Sequence, residues 1–126
     1  MKHSFKQRII YADTDAEGVV YYANYLKFFE RGRMEYLRKA GVSVKKLKEE
    51  KGMVFAISKV ECDYKAPALL DDEITVETEI ADKTAATIVF RQEVLREDRL
   101  LVSARITACV IRLKDFRPMK IPEGLF

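Results

Sequence analysis

Two aspartates and a glycine, Asp13, Asp15 and Gly18, stand directly ahead of a long apolar stretch that begins near Asn24. A carboxylate beside a helix N-terminus is a chemical pairing. The helix end offers unpaired backbone N–H groups and partial positive charge. The carboxylate offers a base or a nucleophile. Together they suit attack on a carbonyl whose oxygen must be held as it becomes negative.

Other chemistries find no residues. His3 is the only histidine, so a zinc site, a Ser-His-Asp triad and a Cys-His dyad all lack a member. Asp13, Asp15, Glu17 and Gly18 fit the opening of a calcium-binding EF-hand loop, yet Asn24 stands where the bidentate glutamate belongs. The segment before Asp13 also reads as strand, where an EF-hand needs helix. No metal ion is expected.

The elements that must position these groups follow from periodicity. His3–Tyr11 alternates, with Phe5, Ile9 and Tyr11 on one face, and reads as a strand. Asp13–Val20 is turn-like. A helix is predicted from Asn24 to Ala40, about 25 Å long. Tyr25, Leu26, Phe28, Phe29, Tyr36 and Leu37 give it a broad apolar face, and Gly41 stops it. Ser43–Lys51 reads as a short second helix around Leu47.

After Gly52 the period changes to two. Met53–Ala66 is extended and ends at Pro67. Ile74, Val76, Thr78 and Ile80 alternate with acids and threonine, and Ala86–Leu95 and Leu100–Val110 follow as strands. The Arg96–Arg99 link makes the last pair a hairpin. Successive strands with short links favour antiparallel pairing. A single broad-faced helix is best buried by a sheet curling around it. The expected class is therefore α+β, with an antiparallel sheet wrapped around one long central helix, the hotdog arrangement. Its sheet edge invites pairing with a second copy, so a homodimer is expected, with further assembly to a homotetramer.

Length and composition bound the rest. The 126 residues make one domain, 1–126, and 48% hydrophobic with 34% charged residues is ordinary for a globular chain. The charge of +3 is interleaved rather than clustered, so nucleic acid is not a partner. Cys62 and Cys109 fall in strands and read as free thiols of a reducing compartment. Met1–Arg8 has no apolar run and no window reaches the length of a membrane span. The expectation is a cytoplasmic protein without membrane insertion.

The stretch Tyr11–Arg38 resembles the active-site signature of the 4-hydroxybenzoyl-CoA thioesterase family. It is most similar to the bacterial acyl-CoA thioesterase branch linked to the Tol–Pal envelope system. The matching residues are Asp13-Thr14-Asp15, Gly18-Val19-Val20-Tyr21, Ala23-Asn24-Tyr25-Leu26, and Phe29-Glu30-Arg31 with Arg33. Val60–Pro67 and Leu70-Asp71-Asp72 resemble the family's next strand and turn. One position departs: the close branch often has His where this chain has Tyr22. Aryl-specific members can have Tyr there, which leaves the acyl preference open.

The resemblance implies an acyl-CoA substrate, hydrolysed to free acid and coenzyme A, with no cofactor beyond the coenzyme A of the substrate itself. It implies Asp15 as the carboxylate that attacks the thioester carbon or activates water. The backbone N–H groups of Tyr22 and Ala23 would polarise the carbonyl. Asn24 would cap the helix or orient water, and Tyr25 and Phe28 would line the acyl pocket. Lys59, Lys65 and Lys83 flank strand ends where coenzyme A phosphates would lie, and Lys59 joins the substrate-binding set with Tyr22, Ala23, Asn24 and Tyr25. Asp13 is expected to hold the loop, and Glu30 to pair with Arg33, Arg31 or another basic residue. An acyl carrier protein is a further partner class. The same fold without turnover, as an acyl-CoA or acyl-carrier binding module, is the alternative reading.

Overall fold

The computed structural model describes residues 1–125. Five strands form an antiparallel sheet: β1 (Lys2–Arg8), β2 (Met53–Tyr64), β3 (Glu73–Lys83), β4 (Thr87–Arg96) and β5 (Arg99–Arg112). Their spatial order is β1-β3-β4-β5-β2. A sixth short strand, β6 (Arg117–Met119), pairs with β5 beyond the point where β4 ends, Met119 opposite Val110. Sequence periodicity missed β6, which holds Pro118 and is too short to alternate. The expected β4–β5 hairpin is present, with Arg96 opposite Arg99.

The long helix α1 (Asn24–Lys39) and the short α2 (Val44–Lys51) lie on one face. Ser43 caps α2, its hydroxyl accepting the Lys46 N–H at 3.2 Å. On α1 the buried residues are Tyr25, Phe28, Phe29, Gly32, Tyr36 and Leu37, spacings of three and four that make one face. Burying each phenylalanine is worth about 1.5–3 kcal/mol relative to exposure. Phe28 and Phe29 pack with Ile74, Val76, Val94 and Val102, while Tyr36 and Leu37 pack with Ile88, Phe90 and Leu47. This is the expected hotdog fold, a sheet curled about one helix.

Gly32 sits inside the buried stripe because the helix runs very close to the sheet there. A Cβ on it would lie 2.6 Å from Thr78 Oγ1 and 2.8 Å from Gln92 Nε2. Gln92 is fully buried and spans the gap: its Nε2 donates to the Phe29 carbonyl and to Thr78 Oγ1, each at 2.8 Å. The sheet is thus bonded into the helix backbone.

The first strand ends earlier than its alternation predicts. β1 stops at Arg8, and Tyr11–Asp13 forms a one-turn 3-10 helix. Ile9 is buried as expected, but Tyr11 is exposed rather than on the same face. The cause is the Asp13 carboxylate, which accepts the Ile10 N–H at 2.9 Å and turns the chain away from the ladder.

α1 packs over β1, β3 and β4, while α2 covers part of β2. The inner face of β2 is left partly bare, with Ile57 and Val60 each 43% exposed and Tyr64 45%. β2 is also an edge strand of 12 residues. Among the described residues, no helix is long and apolar enough to cross a membrane.

Candidate active site

The loop between β1 and α1 is a small hairpin. Thr14 and Val20 bridge in antiparallel fashion, the Asp15 N–H donates to the Val19 carbonyl at 2.9 Å, and the Gly18 N–H to the Asp15 carbonyl at 3.1 Å. Gly18 closes the turn at φ +80°, a left-handed conformation that glycine adopts without a Cβ clash. Asp15 is half-buried at the foot of this turn, and one carboxylate oxygen accepts the Glu17 N–H at 2.9 Å. The hairpin is fastened to the β2–β3 loop: Val20 N–H donates to the Ala68 carbonyl at 2.9 Å and Leu70 N–H to Gly18 at 3.0 Å. That second loop is itself held by Asp72, whose Oδ2 accepts the Leu69 N–H at 2.8 Å and pairs with Arg96 at 2.7 Å.

Asp13 does the holding the sequence assigns to it. It is 2% exposed, takes the Ile10 N–H on one oxygen and the Lys27 ammonium on the other at 3.1 Å. Its carboxylate therefore turns inward, away from that of Asp15, which the Glu17 N–H holds. The acids of the loop do not converge as calcium ligands would. Among the described residues, no group of three or more His, Cys, Asp or Glu could hold a metal.

The start of α1 leaves donors free. Tyr21 N–H is taken by the Asp13 carbonyl at 3.1 Å, and Asn24 N–H by the Tyr21 carbonyl at 2.8 Å. Between them, among the described residues, the Tyr22 and Ala23 N–H groups reach no acceptor in the chain. They stand at the positive end of a 16-residue helix. These are the two backbone donors that the sequence singles out.

Asn24 does not cap the helix. Ala23 occupies the cap position in helical conformation, without a side-chain bond. Because the turn at Tyr21 has already begun the coil, Asn24 lies one step inside it. Its Nδ2 reaches back to the Asp13 carbonyl at 2.8 Å and ties α1 to the aspartate loop.

Beside the helix start lies a cavity of about 280 Å³, lined by Val20, Tyr22, Tyr25, Tyr64, Lys65 and neighbouring backbone. The Tyr25 ring centre is 5.7 Å from that of Tyr64, and Tyr22 meets Tyr64 edge-on at 6.5 Å. Tyr25 is buried, and its hydroxyl oxygen accepts the Ala68 N–H at 2.9 Å. Burial pushes its phenol above the ordinary value. Tyr64 is pushed up to about 12, by partial burial first and then by Cys62. Its hydroxyl stays protonated and donates to the Tyr22 carbonyl at 3.4 Å.

Tyr22 and Tyr25 are thus brought together around the cavity, with Ala23 and Asn24 at its helix end. Lys59 is not among them. It is exposed on the outer face of the sheet, opposite Thr107, and pairs with Glu61 at 3.2 Å. Lys65 is the cation that reaches the cavity. Tyr64 is the wall residue the sequence reading missed. It shares period-two parity with Val60 and Cys62, which would have placed it on the inner face. Glu30 lies more than a turn along α1, and the ion pair expected for it does not form within the chain, among the described residues.

Comparison with known proteins gives the family. The model of the thioesterase-like superfamily matches residues 11–125. The acyl-CoA thioesterase YbgC of Haemophilus influenzae is 41% identical over 120 residues, covering 95% of this chain and 88% of that protein. A probable thioesterase from Bartonella henselae superposes with TM-score 0.92 at 34% identity, over 97% of this chain and all of that one (100%). The 4-hydroxybenzoyl-CoA thioesterase of Pseudomonas sp. strain CBS-3 shares the fold, with TM-score 0.91 at 24% identity over 98% of this chain and 96% of that one. A hairpin carrying Asp15, two free N–H groups at a helix start and an aromatic cavity beside them are therefore set in a relative of these enzymes: the chain belongs to the thioesterase-like superfamily.

Proposed function

We propose that this protein is an acyl-CoA thioester hydrolase, with Asp15 as its catalytic carboxylate. The observation that carries the reading is the pair of unclaimed N–H groups at Tyr22 and Ala23, seven and eight residues after Asp15 on the loop that feeds α1. Such donors stabilise an oxyanion in the transition state and leave the ground-state carbonyl less affected. Asp15 attacks the thioester carbon to form an acyl anhydride that water then hydrolyses, or it removes a proton from the water that attacks the carbon directly. The C–S bond breaks, coenzyme A leaves as the thiol and the acyl group leaves as the acid. YbgC-named relatives support the substrate class.

The cavity beside the helix start, about 280 Å³, is just below the roughly 300–1,000 Å³ range of ligand pockets. Its tyrosine walls favour a compact acyl group, short aliphatic or single-ring, over a long fatty chain. Lys65 at the rim is placed to meet an anionic part of coenzyme A.

The active form is a homodimer joined along β2. That edge is long, its inner face is apolar and partly uncovered, and pairing it with a second copy satisfies both its backbone and its side chains. Tyr64 lies at the end of the same strand, so the partner closes the cavity that Tyr64 walls.

The test is hydrolysis of a panel of acyl-CoA thioesters, read with a thiol-reactive dye, for wild type and Asp15→Asn. Wild type should turn over, and the variant should lose at least about 100-fold, or about 2.7 kcal/mol of barrier. Equal activity of the two removes Asp15 from the chemistry. Binding without turnover by either protein establishes the binding-module reading instead.

A further inference from the structure

On the flank of α1 that faces β2, two opposite charges stand three residues apart with no close ion-pair partner among the described residues of their own chain. Glu30 is exposed and makes no close ion pair, among the described residues. Arg33 is half-buried and donates to Gln92 Oε1 at 3.1 Å, and among the described residues no carboxylate comes within ion-pair distance of it. Burial lowers the Arg33 pKa, and the nearby Glu30 partly restores it. Both side chains line one groove of about 230 Å³, floored by Phe55, Ile57, Phe90 and Ala108. A guanidinium over an apolar floor with one neutral acceptor is costly to leave so.

The arrangement is self-complementary. In a two-fold dimer, if residue i of one copy meets j of the other, then j meets i. Glu30 and Arg33 are offset by about 4.5 Å along the helix axis. An antiparallel second copy of α1 centred between Arg31 and Gly32 places each glutamate opposite the other copy's arginine. The strand points to the same centre. The groove's β2 residue is Ile57, next to the bulge at Ser58, and the midpoint of β2 falls between Ser58 and Lys59. A two-fold axis through the middle of β2 thus runs beside the groove that Glu30 and Arg33 line.

We propose that the groove is filled by a second copy of this chain and that two reciprocal ion pairs, Glu30 to the other copy's Arg33 and back, fix the register of the dimer. This deepens the dimer reading above and rests on it. The same contact would hold the two copies of α1 at a set distance, and with them the two active-site helix ends.

Sedimentation velocity on wild type, Glu30→Arg, Arg33→Glu and an equimolar mixture of the two variants tests it. Each variant alone should self-associate at least about 100-fold more weakly than wild type, since like charges then face each other. The mixture sets an all-basic flank against an all-acidic one and should form a heterodimer within about tenfold of wild-type affinity. A pairing confined to one chain gives no such rescue. Should circular dichroism show Arg33→Glu unfolded, the salt response of Glu30→Arg decides. Going from about 0.1 M to 1 M salt shortens the screening length from about 10 Å to about 3 Å. That should strengthen the variant dimer and weaken the wild-type one. A wild-type dimer with Glu30→Arg of unchanged affinity overturns the ion pairs and leaves the dimer standing. A monomeric wild type overturns both.

Discussion

The side-chain amide of Asn24 donates to the main-chain carbonyl of Asp13 at 2.8 Å, which bolts the first turn of α1 to the loop that carries Asp15. The same carbonyl accepts the Tyr21 N–H at 3.1 Å. One oxygen therefore sets the spacing between the proposed carboxylate and the proposed oxyanion donors at Tyr22 and Ala23. Catalysis by positioning depends on such distances to within about an ångström.

Asn24→Ala should therefore lower kcat by roughly 3- to 10-fold with a small change in KM. A net hydrogen bond is worth about 0.5–1.5 kcal/mol, and each 1.36 kcal/mol is tenfold in rate. Thermal unfolding should shift little, because Ala is a better helix former than Asn. A large loss of stability with unchanged kcat would mean that the bond holds the fold and not the site.

Asp13→Ala should behave in the opposite way. Asp13 is 2% exposed, and removing its carboxylate strands the Ile10 N–H and leaves Lys27 without its acid. The expected cost is about 1–3 kcal/mol of stability, the range for an unsatisfied buried partner. Lys27 keeps 59% of its side chain in solvent, so Lys27→Met should cost less than Asp13→Ala. Denaturant unfolding of the two variants checks the order.

How much of this the sequence reveals depends on whether a residue acts through its neighbours in the chain or through distant ones. α1, α2 and four of the strands announce themselves by period, and Gly41 and Pro67 punctuate them. Tyr22 and Ala23 follow from the position of the helix start. Tyr11 was misplaced because a side chain three residues away, Asp13, overrides the local alternation. Lys59 reads as a binding residue until strand parity puts it on the outer face with Glu61. Nothing in the sequence singles out Gly32 or Gln92. Their fit to each other exists only after helix and sheet have met.

Tyr64 tests the cavity. Tyr64→Ala removes a wall that meets both Tyr22 and Tyr25, so KM for the preferred acyl-CoA should rise about 5- to 30-fold, from the roughly 1–2 kcal/mol of lost aromatic contact. The chemical step should change less, because the ring touches the acyl group equally in ground and transition states. Tyr64→Phe should stay close to wild type, since the bond it loses to the Tyr22 carbonyl is long at 3.4 Å. Steady-state kinetics over the acyl panel separate these outcomes, and a kcat loss in Tyr64→Phe would assign the hydroxyl a part in the reaction.

Gly32→Ala sets two magnitudes against each other. In an exposed helix the change gains about 1 kcal/mol from propensity. Here the new methyl would lie 2.6 Å from Thr78 Oγ1 and 2.8 Å from Gln92 Nε2. Neither atom yields cheaply, because Gln92 Nε2 is held by both the Phe29 carbonyl and Thr78. Overpacking of this kind costs about 1–3 kcal/mol, and displacing Gln92 leaves its buried amide N–H donors without the Phe29 carbonyl and Thr78. The clash should win, and Gly32→Ala should melt several degrees below wild type. A melting temperature at or above that of wild type would show that α1 can lift from the sheet at no cost, and would loosen the claim that Gln92 bonds the sheet to the helix backbone.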